Sequence, residues 1–568
     1  MEERRLLVAV GLSLLVLLAY SQWFAPPPTP APSPAPVAAV SPAPAVAPGA
    51  APAARPAEAP VVPQAASAAA GRPASPAAPK VSDEQERRVE VTAPGYVVAF
   101  TNRGARLVSW TLALHRDASG HPEELVAAQT TAVRPLDVET GDAELDGRLR
   151  NALFQPSSDA LQVTGERPQA LRFVFSDGGV EAEKVVTFRA TGLLAVHVSV
   201  RRNGQPLPVR LLWGPGLGNP TPEEREVRGY TEPQAVALLA AGNLQQLTPA
   251  KVAPAGQPLG AARWVGVESH YFAALFVPAG GAAEAQVRPL TLPVHGDEKP
   301  VTAVVVAIDA NGEEPVQLFV GAKDHQQLAR LGHQLERVVQ VGDWIGPIVI
   351  ALMGLLRFVH THVGNWGWSI VLLTVLINVA MAPLRHYSIV NGLKMAKLSP
   401  EMKVIQERYR KVPLMDPRRQ QMQDEMGALY AKHGMNMGSQ MLVGCLPILL
   451  TMPFLFAFYR VLSVLVELRG APFLWISDLA QKDPLFVTPV LMGVSMFAMQ
   501  KMTPTAMDPA QQRVMMLMPL MLAGMFLWAP AGLNLYWLTS NLWSIVQQWA
   551  EMSFLRPHEA RAPREKRR

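Results

Sequence analysis

Apolar stretches long enough to cross a membrane dominate the last 200 or so residues of this sequence. Residues 366–384 read WGWSIVLLTVLINVAMAPL without a single charge. At about 1.5 Å per residue, such a helix crosses the roughly 30 Å hydrocarbon core of a bilayer. Similar stretches lie at 441–466, 485–500, 514–528 and 532–550. They predict a polytopic α-helical membrane protein, and the low charged fraction of 17% also argues against a soluble enzyme.

The first 80 residues divide into an anchor and a spacer. Residues 1–24 start with charges, continue as an apolar run and end in Trp23 and Phe24, which are typical of a membrane interface. A signal peptide would end in small residues at its cleavage site, so we interpret 1–24 as an uncleaved anchor, the sixth span. Residues 25–80 are mostly Ala and Pro and are predicted to be a disordered periplasmic linker.

Residues 81–335 have the pattern of an exported all-β sandwich domain. Short alternating segments such as LRFVF (171–175) are separated by Gly, Pro, Asn and Asp, which indicates ten or more antiparallel strands. No catalytic spacing is present, and His270 beside Tyr271 is interpreted as a surface or satisfied interior group. After the sandwich, residues 336–362 predict an amphipathic helix lying in the membrane interface.

The charges define an orientation. Residues 385–440, between the second and third spans, and the tail 551–568 are both rich in Lys and Arg, as is the EERR start. The positive-inside rule places all three in the cytoplasm, so the 467–484 loop and the sandwich face outward. The single cysteine, Cys445, excludes an intramolecular disulfide.

The 385–440 segment is predicted to be a helical hairpin, with helices at 389–410 and 418–432 and a break at the two prolines between them. It is either a solvated charged loop or a docking surface for acidic lipid, a ribosome or a nascent chain. The candidate docking residues are Lys394, Lys397, Lys403, Arg408, Arg410, Lys411, Arg418 and Arg419.

Several strings carry a family resemblance: GNWGWSI (364–370), GCLP (444–447), VELRGAPF (466–473), LMGVSMF (491–497) and LNLYW (533–537). They closely resemble the YidC membrane protein insertase family, in its Gram-negative form with six spans and a large periplasmic domain. The resemblance implies an insertase and chaperone of the bacterial inner membrane, with both termini cytoplasmic. It is not expected to be an enzyme or to need a cofactor or metal.

The resemblance also implies a mechanism. Five core helices at 363–550 would enclose a hydrophilic groove open to the cytoplasm and to lipid, into which a polar client segment enters while its apolar helix slides into the bilayer. A wet groove shortens the path over which polar groups lack hydrogen-bond partners. Expected partners are nascent membrane proteins, phospholipid, the Sec translocon and a ribosome or targeting receptor, without direct nucleic-acid recognition.

The groove differs from the family pattern in its charge. Asn378 aligns where the family usually has a membrane-embedded arginine, and Thr451 aligns where a glutamine is common. Arg460, on the third span, could replace the missing charge if it turned inward, although snorkelling to the outer interface is the simpler interpretation. By alignment, the other groove or client-contacting candidates are Thr374, Leu455, Phe458, Tyr459, Tyr536 and Trp537; ordinary helix packing is the alternative for each aromatic.

Two other functional classes remain open from the sequence. Polytopic chains with intramembrane polar residues are often solute transporters, although internal repeats and midplane ionisable residues are not evident here. The sandwich could instead be the working part, as a carbohydrate-binding module tethered to the membrane, but a fold alone does not establish an activity.

Overall fold

A computed structural model of the chain describes residues 79–560, apart from 118–119, 129–132, 166, 190–191, 222–223, 226–229, 293–300, 312–313, 343, 410–411, 414–415, 434–451 and 504–508. The predicted N-terminal anchor and nearly all of the linker lie outside the described residues. So do Thr451, Arg410, Lys411 and the end of the basic tail.

Residues 88–322 form the β-rich domain. Its strands are β1 (Arg88–Ala93), β2 (Tyr96–Thr101), β3 (Arg106–Arg116), β4 (Pro122–Glu124), β5 (Val138–Glu139), β6 (Gln155–Pro156), β7 (Ala160–Gln162), β8 (Gln169–Ser176), β9 (Val180–Phe188), β10 (Leu193–Arg202), β11 (Gln205–Pro206), β12 (Arg210–Trp213), β13 (Gln234–Leu239), β14 (Leu244–Leu247), β15 (Gln257–Glu268), β16 (Phe272–Val277), β17 (Ala283–Leu292), β18 (Val301–Asp309) and β19 (Val316–Ala322).

The strands form two sheets around one core. The smaller sheet has the order β4-β3-β2-β1-β7 and the larger contains 14 strands. In β9, VEAEKVVTF, every second residue is buried, which is the period-two pattern of a strand with one face inward. Phe100 of the small sheet and Phe173 and Phe188 of the large sheet share one buried cluster. The prediction of a large β domain is confirmed, with one local difference: β1 and β7 pair in parallel.

Helices account for most of the described chain after residue 345. Helix α1 (Ala143–Asn151) lies in the β domain and α2 (His325–Leu331) follows it. The others are α3 (Gly346–Val363), α4 (Trp366–Arg408), α5 (Arg418–Lys432), α6 (Met452–Val464), α7 (Val487–Met502), α8 (Pro509–Met525) and α9 (Ala531–Ala560).

Helix α4 corrects the sequence analysis. The prediction ended the second span near Pro383 and began a separate helix at residue 389, but α4 continues through Pro383 and Pro400 for 43 residues. Proline removes the hydrogen bond from its own nitrogen to the carbonyl four residues earlier, which for Pro383 is that of Val379, but the helix continues. Next to the proline, Gln547 of α9 donates to the carbonyl of Ala382 at 3.0 Å and so joins α9 to α4 at this point.

Several helix ends also differ from the prediction. Helix α9 runs to Ala560 instead of ending at residue 550, and α8 begins at Pro509 instead of 514. In the described part of the chain, α3 and α4 are long and apolar enough to cross a membrane, while Met452–Val464 and Met515–Trp528 are shorter apolar helices. The count of six spans and the interfacial position of α3 therefore stay predictions.

Candidate functional site

A line of polar contacts joins α4 to α9, and we call it the polar seam. Asn378 is buried, donates to the carbonyl of Thr374 at 2.7 Å and accepts from the Ser540 hydroxyl at 3.4 Å. Thr374, also buried, donates to the carbonyl of Ile370 at 2.6 Å. The structure thus brings the two α4 candidates together, one helical turn apart, and adds Ser540 from the last helix.

The polar seam continues past the predicted end of the second span. The Arg385 guanidinium donates to the Ser544 hydroxyl. Gln547 bonds through its Nε2 to Ala382, and in the part of the chain that the structure describes its buried Oε1 has no hydrogen-bond donor. A carboxyl oxygen of Glu551 lies 3.3 Å from His386 Nδ1. The seam therefore contains amides, hydroxyls, one guanidinium, one imidazole and one carboxyl group, and Gln547 Oε1 is an unused acceptor among the described residues.

A second polar contact lies on another side of α9. Asn541 donates to the Ser495 hydroxyl of α7 at 3.1 Å, and both side chains are buried. Gly493 of α7 packs within van der Waals distance of Ala523, where an added Cβ would lie only 2.7 Å from the Ala523 Cβ. Helix α7 thus packs closely against α8, and its buried Ser495 has a hydrogen-bond partner on α9.

The aromatic candidates pack against one another. Phe458 is buried and stacks on the Tyr536 ring, with centroids 4.3 Å apart and planes 15° apart. Trp537 lies 4.9 Å from Phe526, centroid to centroid. Leu455 is half-buried and Tyr459 is exposed on α6. Among these candidates, Tyr459 is thus the one whose side chain is exposed.

Arg460 points towards the β domain. Its Nε and terminal nitrogen donate to the backbone carbonyl of Gln340 at 2.8 and 2.6 Å. Gln340 ends the short helical turn that connects the β domain to α3. These contacts give no support to the hypothesis that Arg460 places a charge beside Asn378, because its guanidinium donates to the β-domain side, near the C-terminal end of α6. Thr451 is outside the described residues.

The predicted docking hairpin is formed by the last part of α4 and by α5. Its interior is the cluster of Leu398, Met402, Leu429 and Tyr430. Arg408 pairs with Glu425 at 2.9 Å and Arg418 pairs with Asp416 at 2.8 Å, while the guanidinium of Arg419 donates to the carbonyl of Val412. The exposed lysines in the described part of the hairpin include the three docking candidates Lys394, Lys397 and Lys403, together with Lys432.

Buried ion pairs fasten the β domain to the segment between α6 and α7, residues 465–486, which we call the outer loop. Arg469 of this loop pairs with Glu123 and Glu224 of the β domain, and all three side chains are about nine-tenths buried. Burial opposes its charge, but the two carboxylates raise the pKa of Arg469 above its usual value. Burial also raises the pKa of Glu123.

Two more contacts strengthen this junction. Arg357 of α3 donates to Glu467 of the outer loop at 2.8 Å and also pairs with Asp324. His270 Nε2 lies 2.9 Å from the Ser463 carbonyl of α6. Burial, with the nearby Lys323 charge, lowers the pKa of His270 to about 4, so it is neutral at pH 7. This agrees with the interpretation of His270 as a satisfied interior group.

Sequence reasoning missed most of the α9 side of the polar seam. Ser540, Ser544, Gln547 and Glu551 are spaced by four, three and four residues, which places them on one helical face. That spacing was the sequence signal that could have identified a polar face on α9. Arg385 was counted only as a cytoplasmic charge, because Pro383 was taken as the end of the span. Among the described residues, no group of His, Cys, Asp or Glu is placed to hold a metal ion.

Comparisons with known proteins agree with this architecture. Residues 358–557 match the family described as 60Kd inner membrane protein, and residues 88–353 match the YidC periplasmic domain. The membrane protein insertase YidC of Geobacter metallireducens is 34% identical over 96% of this chain and 97% of its own length. That of Geobacter sulfurreducens is 34% identical over 96% and 98%.

Among solved structures, the chain is similar to an active YidC insertase crystal structure with the first transmembrane domain resolved. The two are 16% identical, with a TM-score of 0.33, over 82% of this chain and 93% of the other. Identity above 30% across nearly the full length of two relatives, together with family matches over both the β domain and the helices, establishes the family. The chain belongs to the YidC membrane protein insertase family.

Proposed function

We propose that this protein inserts and helps to fold proteins of the bacterial inner membrane, and that the polar seam receives the client. The observation that carries this proposal is the row of hydrogen-bonding groups between α4 and α9, including the buried, unpaired Oε1 of Gln547. A buried polar atom without a partner costs free energy, and water or a polar client segment would remove that cost. No step requires a cofactor or a covalent intermediate.

The neutral groups of the seam suit the passage of a client. Asn378 and Ser540 are joined by a long hydrogen bond of 3.4 Å, and the amide of Gln547 retains an acceptor. Neutral hydrogen bonds contribute about 0.5–1.5 kcal/mol each, so a client's polar groups can replace them at little net cost. The client's apolar helix would meanwhile move along exposed apolar residues of α4 such as Leu372, Leu376 and Val379.

Arg385 supplies the positive charge of the seam in this proposal. Asn378 is neutral, whereas Arg385 lies seven residues, or about two helical turns, further along the same helix and bonds to Ser544. A partly buried guanidinium attracts an acidic client segment more strongly than a solvated one, because its field is less screened. Arg385 therefore supplies the positive charge that the sequence analysis considered for Arg460.

The contacts at the two ends of α4 support the orientation proposed for the helices. Its first turn lies against the outer loop, where Trp368 contacts Phe473 at a centroid distance of 5.3 Å, and the outer loop is fastened to the β domain by Arg469. Its last turns pack on α5 in the hairpin. We accordingly propose a periplasmic β domain, a cytoplasmic hairpin, cytoplasmic termini and six spans, with the domain limits predicted from the sequence.

The hairpin is the proposed docking surface for targeting partners. Lys394, Lys397 and Lys403 are exposed. Arg408 and Arg418 pair with Glu425 and Asp416. A ribosome, a targeting receptor or acidic lipid would be attracted by the lysines. Cooperation with the Sec translocon is part of the proposal as the route for clients with large exported domains.

The test is insertion of a small single-span protein into proteoliposomes that contain only this purified chain, scored by protease protection. We expect protection above empty liposomes. Arg385→Gln should lower insertion of a client with an acidic exported segment severalfold, while a client with a neutral segment should be affected less. Asn378→Arg should raise insertion of the acidic client, and Asn378→Leu should lower insertion of both clients.

Arg408→Gln is the matched control, because Arg408 is also on α4 but is exposed and paired with Glu425. It should leave insertion of both clients unchanged. Equal loss from the Arg385 and Arg408 variants would refute the role of Arg385. If the folded wild-type chain gave no protection, autonomous insertion would be wrong, and the test would then be repeated with reconstituted Sec translocon to separate an obligate partner from a transporter.

A further inference from the structure

The outer loop carries two exposed apolar turns. Leu474 and Trp475 form the tip of a two-residue turn closed by reciprocal backbone hydrogen bonds between Phe473 and Ile476, at 2.8 and 2.9 Å. Leu474 is 67% exposed and Trp475 is 40% exposed. Eleven residues further on, Leu485 is 64% exposed and follows Asp483 in a second tight turn that leads into α7.

The composition of these turns is unusual for a loop in water. Leu474 and Phe486 both have left-handed backbones, with φ of 53° and 54°. Gly, Asn and Asp are the residues that adopt this conformation readily, and they are also the common residues of two-residue turns. Large apolar residues at these two positions therefore cost folding free energy in two ways, through backbone strain and through exposure to water. Their presence indicates a functional use.

Asp483 holds the two turns together. Its carboxylate is buried and accepts from the Trp475 indole at 3.1 Å, from the Leu485 amide at 3.0 Å, and from the amide and hydroxyl of Thr488 in the first turn of α7. The backbone and indole hydrogen bonds keep the pKa of Asp483 low despite its burial. The indole N–H of Trp475 thus has its hydrogen-bond acceptor inside the loop. The apolar side chains of both turns are held exposed on its surface.

The apolar turns adjoin the helix faces that would meet lipid. Phe473, next to Leu474, is buried against the first turn of α4, where any side chain at Gly367 would collide with its ring. It also contacts Trp368, which begins an exposed apolar row continued by Leu372 and Leu376. At the second turn, Leu485 and Phe486 lead into the exposed Val490, Leu491, Val494 and Phe497 of α7.

We propose that the two turns of the outer loop insert into the membrane interface on the β-domain side and anchor the outer ends of α4 and α7 to lipid. Trp is favoured in this zone because its ring is amphipathic, and Leu and Phe bury apolar surface there. The occupant is the boundary of headgroups and acyl chains of the outer leaflet. Since Arg469 of the same loop is fastened to the β domain, the anchor also sets the height of that domain above the bilayer.

The test measures how deep the turns lie in a bilayer. Single nitroxide labels at Leu474→Cys and Leu485→Cys, in the full chain with Cys445→Ala, are reconstituted into liposomes with nickel ethylenediamine diacetate on both sides. Collision rates with oxygen, which concentrates in lipid, and with the nickel complex, which stays in water, give the depth. Leu114→Cys is the matched control, because Leu114 is an apolar β-domain residue that is 84% exposed.

We expect oxygen-to-nickel collision ratios severalfold higher at positions 474 and 485 than at 114. Leu485→Asp should lower the ratio at 474, because the two turns share Asp483, whereas Leu114→Asp should not. Ratios at the turns equal to that at 114 would overturn the proposal by placing the loop in water. Exclusion of both reagents would overturn it as well, because another protein surface would then cover the turns.

Discussion

The junction of the β domain with the outer loop and the polar seam between α4 and α9 solve the burial of polar groups in opposite ways. At the junction, Arg469 lies between Glu123 and Glu224, so a buried cation has carboxylate partners within the protein. In the seam, Asn378 and Ser540 make a long neutral hydrogen bond and Gln547 keeps an unused acceptor. The first interface is fixed by partners within the protein, and we propose that the second exchanges its partners with water or client.

This difference predicts which property of the protein each region controls. A buried charge that loses its partner is strongly destabilising, so the junction is expected to stay closed throughout the working cycle. Neutral amides and hydroxyls can exchange partners with water or client at low cost. Substitutions at the junction should therefore change stability, and substitutions in the seam should change insertion.

The largest effect is expected for Arg469→Leu. It leaves the buried Glu123 and Glu224 without a counter-charge, and removal of one partner from a buried ion pair costs about 3–5 kcal/mol. The thermal unfolding midpoint of the detergent-solubilised chain should fall clearly. Arg172→Leu, which removes an exposed pair with Glu183, should change the free energy of unfolding by less than about 1 kcal/mol. Equal shifts for both variants would contradict the buried-charge account.

Acidification should weaken the junction through His270. Burial and Lys323 lower its pKa from 6.5 to about 4, so the unfolded chain binds a proton that the folded chain rejects. The histidine's contribution to stability is complete above about pH 6.5 and is lost as the pH falls towards 4. The unfolding midpoint, measured from pH 7 to 4, should fall less in His270→Gln than in the wild type. Parallel curves would show that the imidazole is not involved.

Helical segments were easier to predict from sequence than the contacts between them. The second hairpin helix was predicted at 418–432, and α5 has those limits. A helix break was wrongly predicted after Pro383, because proline usually stops a helix in water. In the structure α4 continues through Pro383, and Gln547 of α9 bonds to the carbonyl of the residue before it; this contact from a distant helix has no local signal in the sequence.

The candidate site shows the same limit. Asn378 and Thr374 could be proposed because a polar residue in an apolar stretch stands out, and family resemblance supplied the alignment. Arg385 and Ser544 could not be paired, since they are 159 positions apart and join only when α4 and α9 pack. Arg460 was equally visible, but its contact with Gln340 depends on how the β domain sits against α6.

A smaller effect is expected for Gln547→Leu. The change removes the donor to the Ala382 carbonyl and to the Glu551 carboxyl and also the unused acceptor, so loss and gain partly cancel in the folded state. The unfolding midpoint should therefore move much less than in Arg469→Leu, while insertion should fall severalfold. Gln548→Leu, on the next residue of α9, is the control for the loss of an amide from this helix. A large fall in the midpoint without loss of insertion would assign Gln547 to structure.

The smallest effect is expected for Ser540→Ala. This variant is the most sensitive test of the difference between the polar seam and the junction. The Ser540 hydroxyl is 3.4 Å from Asn378 Oδ1, near the limit of a hydrogen bond, so its removal should cost no more than about 0.5–1 kcal/mol. Asn378 keeps its donor bond to Thr374, and its oxygen becomes more available to a client. Insertion rates in proteoliposomes should then stay level or rise slightly. A fall as large as that of Gln547→Leu would mean that the bond holds the two helices together, and the seam would be a fixed interface like the junction.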